Sequence, residues 1–271
     1  MANNTINAAE NAAMANNLVQ TALAEKAPEK ETAKLTAPYP TLVTLPGGFV
    51  TSTGEVITTA EVKELTGRDE EAIVKAPNVG RALATILSRG VVSVGNIPAD
   101  EKLLDNLLAG DRDALLIGIY RATFGDTVTL PGYDVATGDV HEVEIDVLKD
   151  IKMRVLTDPI SDRKFTVNGR GHEYTVLLPT GVVQKEMLAS SDKSVAELIS
   201  VMLYNCVVEI DGNPVVSIEQ IRNLGLVDRR KLNEELTKRA PGPQFEEIKV
   251  ANPDGDGEVV VPISLGAMFR L

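Results

Sequence analysis

The sequence predicts an α+β fold made of two related units and an extended N-terminal arm. Each unit is predicted to contain helices with a short strand, flanked by β-hairpins. Three observations lead to this prediction: apolar residues switch between helical and strand spacing, one pattern of residues occurs twice, and the first forty residues differ in composition from the rest. The chain has 271 residues, of which 44% are hydrophobic, and this is enough to bury a substantial core.

The repeated pattern lies in residues 82–125 and 197–242. In each segment an amphipathic helix leads into a short apolar strand, and two helical stretches follow around an acidic and basic corner. The corner is Asp111-Arg112 in the first segment and Asp228-Arg229 in the second. The sequence LPTGVV at 178–183 also resembles LPGGFV at 45–50, which predicts that the second unit begins there. The matching apolar residues are Leu83, Ile86, Leu87, Val91, Val92 and Val94, and in the second segment Ile199, Met202, Leu203, Val207, Val208 and Ile210.

Alternation with a period of two predicts four hairpins. Gly, Asn and Asp accumulate where the strands should turn, because these residues accept the backbone angles of tight turns. The expected turns are Gly47-Gly48 with Thr53-Gly54, and residues 136–139, 168–171 and 252–257.

Helical spacing predicts the other elements. Thr58 or Thr59 is expected to cap the helix after the first hairpin, and residues 103–124 are predicted to be helical with an interruption at Gly110. The predicted domains are an N-terminal arm at 1–40, a first unit at 41–153, a connecting β-hairpin at 154–177 and a second unit at 178–271.

The N-terminal arm is rich in Asn and Ala and then in Lys, Glu and Pro. Residues 9–25 favour a helix, and Met14, Leu18 and Leu23 keep rough helical spacing. The segment has too little apolar surface to fold alone. It is either a disordered tail or an arm that becomes ordered against a neighbouring subunit, in which case these three residues would bind that partner.

Composition excludes several classes of function. A formal charge of −12 argues against binding nucleic acid, which requires clustered Lys and Arg. The chain has one cysteine and two histidines, which exclude an internal disulfide and argue against a metal-ligand cluster. Cys206 lies in an apolar run and is interpreted as a small buried hydrophobic residue. No signal peptide or membrane span is recognised, so a soluble protein in the cytoplasm, or in a particle assembled there, is expected.

Clustered carboxylates allow two interpretations. Asp69, Glu70, Asp111 and Asp113 could hold a hard cation or perform acid–base chemistry, as in a metal-dependent hydrolase. Alternatively, Asp69 and Glu70 complement a helix dipole and Asp111 is an N-cap. The second interpretation is favoured, because no His or phosphate-binding loop accompanies the carboxylates. No catalytic, cofactor or metal residue is therefore predicted.

Three further residues are candidates for binding a partner. Arg112 is expected to be a solvated or interface side chain beside Asp111. Arg170 lies in a predicted turn next to His172, and Phe269 belongs to an apolar C-terminal tip that is expected to pack. Each has a simpler alternative as an ordinary surface or packing residue.

Several phrases resemble a known family. LPGGFV, ELTGRDEEAI, ILSRGVVSVG and LLAGDRDALLIGIYRATFGD, within residues 45–126, are similar to the tail and baseplate hub assembly proteins of tailed bacteriophages. The group includes the baseplate hub chaperone of T-even phages. Members often carry a thiolate zinc site in the following hairpin, but TLPGYDVATGD contains no Cys, so no metal site is carried over.

The resemblance implies a structural or assembly role in a virion tail, or in the host cytoplasm during assembly. The expected partners are other tail or baseplate proteins in an oligomeric assembly, bound through apolar patches and exposed β-edges. The alternatives are a metal-dependent hydrolase and a host-directed regulatory binding protein. The resemblance implies no catalysis.

Overall fold

The computed structural model describes residues 39–189, 193–245, 247–251 and 257–271. Within these ranges the fold is mixed α+β, with helices packed on several antiparallel sheets, which confirms the predicted class. The fourteen strands in the described ranges are β1 (Leu42–Val50), β2 (Val56–Val62), β3 (Val91–Val94), β4 (Ile97–Pro98), β5 (Thr127–Asp134), β6 (Val140–Asp146), β7 (Lys152–Arg154), β8 (Lys164–Asn168), β9 (Glu173–Leu177), β10 (Val207–Ile210), β11 (Asn213–Pro214), β12 (Gly242–Gln244), β13 (Ile248–Ala251) and β14 (Glu258–Val261).

Helices connect these strands. Most begin at a polar residue whose side chain accepts a backbone N–H, as at Asn78, Asp100 and Ser264. The helices of the described ranges are α1 (Gly67–Val74), α2 (Val79–Gly90), α3 (Glu101–Asn106), α4 (Ala109–Phe124), α5 (Gly181–Ala189), α6 (Val195–Cys206), α7 (Ile218–Arg222), α8 (Leu226–Arg239) and α9 (Leu265–Met268).

Two four-stranded sheets have the same order of consecutive antiparallel strands. One is β1-β2-β3-β4 and the other is β8-β9-β10-β11. The first opens with the predicted hairpin, whose register shifts between Thr44 and Phe49 so that Gly47-Gly48 forms a bulge. The second opens with the predicted hairpin around 168–171. In each sheet the third strand directly follows a helix, α2 or α6, as the repeated pattern predicts.

The other predicted hairpins meet in a third sheet. β5 pairs with β6, β13 pairs with β14, and β14 pairs with β5, which gives the order β13-β14-β5-β6. The contact between the hairpins joins Val259 to Asp134 and Val260 to Tyr133. β7 and β12 form a separate two-stranded ribbon.

Burial concentrates in two hydrophobic clusters. The larger one contains one face of β1 and β2, helices α2 and α4, and the inner face of the third sheet. The smaller one contains β8, β9, α6, β10 and α8. Cys206 lies in the smaller cluster with 1% of its surface exposed, and burial raises the pKa of its thiol to about 12, which confirms the interpretation as a buried hydrophobic residue.

Two predictions of local structure are wrong. Thr58 and Thr59 lie inside β2, because that strand pairs on both sides, and the helix that follows is capped at Thr66. The helical stretch is interrupted at Leu107 and Leu108, not at Gly110. Gly110 lies inside α4, where a Cβ would overlap the carbonyl oxygen of Pro241, so a close approach of two backbones requires this glycine.

The predicted entry of the second unit is also wrong. Residues 45–50 belong to strand β1, whereas residues 178–183 form the connection from β9 and the first turn of α5. The sheet β8-β9-β10-β11 begins with β8 at Lys164, before residues 178–183. The similarity of LPGGFV and LPTGVV therefore does not reflect a similar position in the fold.

Candidate functional site

The first acidic and basic corner lies at the start of α4. Asp111 is fully buried in the third helical position, and its Oδ1 accepts the N–H of Gly47 at 2.6 Å. The carboxylate therefore holds the β1 bulge against the helix. It is not the predicted N-cap, since the helix begins after Leu108. Asp111 Oδ2 is buried without a hydrogen-bond partner in the described part of the chain.

Arg112 is the second residue of this corner and is only 4% exposed. Its guanidinium donates to the carbonyl oxygen of Leu104 at 2.9 Å and to the carboxylate of Asp105 at 3.3 Å. These bonds close the gap between α3 and α4. The prediction of a solvated or interface side chain is wrong, because the arginine faces inward to satisfy the last carbonyl groups of α3.

The second corner repeats these contacts at the start of α8. Asp228 Oδ1 accepts the N–H of Arg170 at 2.9 Å, in the turn after β8. Arg229 donates to the carbonyl oxygen of Ile221 at 3.1 Å, across the gap between α7 and α8. The second corner differs from the first in two of its bonds. Asp228 Oδ2 also accepts the hydroxyl hydrogen of Tyr174 at 2.8 Å, and Arg229 donates to Ser200 Oγ at 2.9 Å, whereas Arg112 donates to Asp105.

These surroundings change the acidity of the carboxyl groups in opposite directions. Burial raises the pKa of Asp111 from 3.8 to about 7, although the N–H of Gly47 and the charge of Arg163 oppose the change. Burial likewise raises the pKa of Asp113 to about 6, against a hydrogen bond from Gln184. The N–H of Arg170 and the hydroxyl of Tyr174 instead lower the pKa of Asp228.

The carboxylates considered as a cation site have separate partners. Asp69 Oδ2 accepts the N–H of Thr66 at 3.0 Å and its hydroxyl at 2.7 Å, which caps α1. Asp111 and Asp113 instead contact Gly47 and Gln184. Over residues 39–189, 193–245, 247–251 and 257–271, no group of three or more His, Cys, Asp or Glu side chains is placed to hold a metal ion.

The other predicted partner residues have different surroundings. Arg170 is exposed at the tip of the β8–β9 turn, where its backbone binds Asp228. Phe269 is half-buried, and its ring stacks edge-on against Tyr120 at 5.5 Å and Phe124 at 6.4 Å. These aromatic rings confirm the expectation that the C-terminal tip packs. Met14, Leu18 and Leu23 lie outside the described residues.

The solvent face of the third sheet carries an apolar row that sequence reasoning did not identify. Val260, Tyr133 and Val140 are successive Cα partners on β14, β5 and β6, so their side chains lie side by side. Tyr133 is 48% exposed, Val140 is 61% exposed and Val260 is half-buried. We refer to these three residues as the apolar row. Adjacent exposed apolar side chains make this row a candidate contact surface for another molecule.

Acidic residues border the apolar row along β6. Glu142 and Glu144 are exposed on the same face as Val140, while Val143 and Ile145 point into the core. β6 is an edge strand, since β5 is its only strand neighbour among the described residues. The alternation of this segment predicted the hairpin. The pairing with β14, which completes the row, joins residues too far apart in sequence for any local signal.

Comparison with protein families, with curated proteins and with solved structures finds no match for this chain. In the ranges that the structure describes, no helix is long and apolar enough to cross a membrane. The function is therefore inferred from the surface chemistry and from the sequence resemblance.

Proposed function

We propose that this protein is a structural or assembly protein of a bacteriophage tail or baseplate, and that it binds other tail subunits through apolar patches and sheet edges. The observation that supports binding is the apolar row of Val260, Tyr133 and Val140 beside the edge strand β6. The resemblance of residues 45–126 to tail assembly proteins supports the choice of partner. The protein acts in the virion tail, or in the host cytoplasm during assembly.

The proposal includes two related units in one chain. It is supported by the common strand order of the first two sheets and by the corresponding bonds of Asp111 and Asp228. Strand pairing also indicates that Ala60 on β2 and Tyr174 on β9 occupy corresponding positions. Each of them pairs with the last residue of the strand that directly follows a helix, β3 in the first sheet and β10 in the second. Ala60 has no hydroxyl group, and this explains why Asp111 lacks the bond that Asp228 receives.

Two similar units would strengthen binding to an assembly with repeated subunits. Covering a half-exposed side chain such as Tyr133 or Val140 contributes only about 1 kcal/mol, so a single small patch binds weakly. A second contact made by the same chain benefits from a high effective concentration. Weak individual patches are therefore compatible with stable incorporation into a tail.

Mass spectrometry of purified phage particles tests this function. A resident tail component should be present at a fixed ratio to other tail proteins. A chaperone that departs should be absent from particles but should copurify with a tail or baseplate protein from infected cells. Absence from both samples would contradict the proposal, and copurification with a host regulator instead would support the host-directed alternative.

A further inference from the structure

We propose that the open edge of β6 binds an extended strand of another protein, and that this strand presents Lys or Arg at alternate positions. The inference rests on the proposed function and specifies the chemistry of the partner. It commits to a heterologous basic strand, in preference to a second copy of this chain.

The backbone of β6 supplies the first part of the site. The strand has seven residues, Val140–Asp146, and all seven are paired with β5. In an antiparallel pair only alternate residues bond to the neighbour, so the remaining N–H and C=O groups of Val140, Glu142 and Glu144 point outward from the edge. The strand's open part ends there, because the N–H of Asp146 bonds to Asp150 Oδ2 and its carbonyl oxygen accepts the N–H of Lys149 and of Asp150. An added strand satisfies these groups with a regular ladder of hydrogen bonds.

The side chains of β6 specify the pattern of the added strand. Val140, Glu142 and Glu144 are all exposed on the solvent face. Residues directly opposite each other on neighbouring strands have Cβ atoms about 5 Å apart, close enough for charge pairs and apolar contacts. The added strand therefore places basic residues opposite Glu142 and Glu144.

A second copy of this chain is a poor occupant of the same edge. Two identical strands related by a twofold axis at Val143, the central residue of β6, would place Glu142 of each strand opposite Glu144 of the other. Like charges directly opposite each other destabilise a strand pair. The net charge of −12 adds further repulsion between copies, whereas it favours a basic partner.

The test uses the full-length protein and three blocked hexapeptides. One alternates Lys with Val, the second alternates Glu with Val, and the third alternates Lys with Gly. Binding is followed by shifts of backbone amide NMR signals. The Lys–Val peptide should perturb residues 140–146, the Glu–Val peptide should not bind, and the Lys–Gly peptide should bind at least about tenfold more weakly because Gly disfavours strands.

Charge reversal gives the second part of the test. The double variant Glu142→Lys/Glu144→Lys should weaken the Lys–Val peptide at least about tenfold and should gain binding of the Glu–Val peptide. The matched control is Glu55→Lys/Glu234→Lys, which changes net charge equally at two exposed residues away from β6. The control should leave the Lys–Val affinity within about twofold. Thermal unfolding followed by circular dichroism should be similar for both variants, because all four side chains are exposed.

Several results would overturn the inference. Perturbation of another surface, equal weakening by the control variant, or equal binding of the Lys–Gly peptide would each do so. A dimer that the β6 variant converts to a monomer would identify a second copy as the occupant. If the Lys–Val peptide binds β6 but the protein is never found with tail components, the tail function is refuted and the strand-binding site is retained. If the protein is a tail component but does not bind the peptide, only the proposal of strand binding at β6 is refuted.

Discussion

Tyr174 donates a hydrogen bond of 2.8 Å to Asp228, and this bond joins strand β9 to the first turn of α8. The phenol ring is fully buried, so the bond is made in the interior of the fold. We expect Tyr174→Phe to lower the free energy of unfolding by about 1–3 kcal/mol, because Asp228 Oδ2 loses a partner. Urea denaturation measures the change. Tyr120→Phe, which removes a hydroxyl bonded to the carbonyl oxygen of Thr127, is the control and should cost less. An equal loss of stability in the two variants would show that the bond from Tyr174 to the Asp228 carboxylate contributes no more than a bond to a backbone carbonyl oxygen.

Asp111 should make the protein less stable as the pH rises towards neutrality. The unfolded carboxyl group releases its proton near pH 4, whereas the folded one retains it until about pH 7. Between these values the folded chain binds more protons, so the free energy of unfolding falls as pH rises, by up to about 4 kcal/mol. Asp113 acts in the same direction with a smaller effect, because its pKa is raised only to about 6.

Urea denaturation at pH 4.5, 6 and 8 measures this dependence. Asp111→Asn should remove most of the decrease in the free energy of unfolding between pH 4.5 and 8, and Asp113→Asn should remove a smaller part of it. Stability that rises steadily over the same interval in the unmodified protein, and is unaffected by Asp111→Asn, would show that the carboxyl group is ionised throughout.

Arg112 and Arg229 each donate a hydrogen bond to a carbonyl oxygen of the preceding helix, but Arg112 is buried and Arg229 is half-exposed. Replacing each arginine by alanine therefore shows how much its contribution to stability depends on burial. Arg112→Ala should lower the free energy of unfolding by about 3–5 kcal/mol, since it leaves a cavity and an unpaired carbonyl oxygen at Leu104. Arg229→Ala should cost about 1–2 kcal/mol, because Arg229 is half-exposed and its removal opens its place to water. Thermal or urea unfolding distinguishes the two, and equal losses would contradict the difference in burial.

Gly110 should be intolerant of any side chain. Gly110→Ala forces α4 away from the backbone of Pro241 and should destabilise the fold by about 2 kcal/mol or more. The matched control is Gly67→Ala at the first position of α1, where a Cβ would meet no atom within 4 Å. That variant should be neutral or slightly stabilising, since Ala favours helices. A stable Gly110→Ala variant would mean that the helix and the Pro241 segment can separate.

Calorimetric titration with Mg²⁺, Mn²⁺, Ca²⁺ and Zn²⁺ tests the metal-dependent alternative. We expect no stoichiometric binding by Asp111 and Asp113, because desolvation of these carboxyl groups favours their neutral forms and their partners are protein groups. Tight binding of one ion per chain that Asp111→Asn abolishes would favour a hydrolase. The Glu142→Lys/Glu144→Lys variant controls for weak ion binding at the acidic surface.

The sequence predicted the elements that local periodicity determines. The alternation around Ala136 and Asp139 identified the β5–β6 hairpin, and helical spacing followed by valines identified α2 and β3. These signals depend only on neighbouring residues, so they can be recognised without knowledge of the tertiary fold.

The errors arise where distant segments decide the conformation. A glycine usually interrupts a helix, but Gly110 is inside α4 because Pro241 approaches it closely. Arginine is usually exposed, but Arg112 is buried because the end of α3 requires donors. The apolar row could not be predicted from the sequence, because Tyr133 pairs with Val260, which lies more than a hundred residues further along the chain.

The junction of β14 with β5 has a consequence for biosynthesis. During translation β5 and β6 are synthesised long before β14. Until β14 is available, the β5–β6 hairpin has no strand paired to the other side of β5. The inner face of this sheet closes only when Val259 and Val261 arrive to shield it. A chain truncated before β14 would lack Val260 and therefore the apolar row, and β5 would keep one unpaired flank.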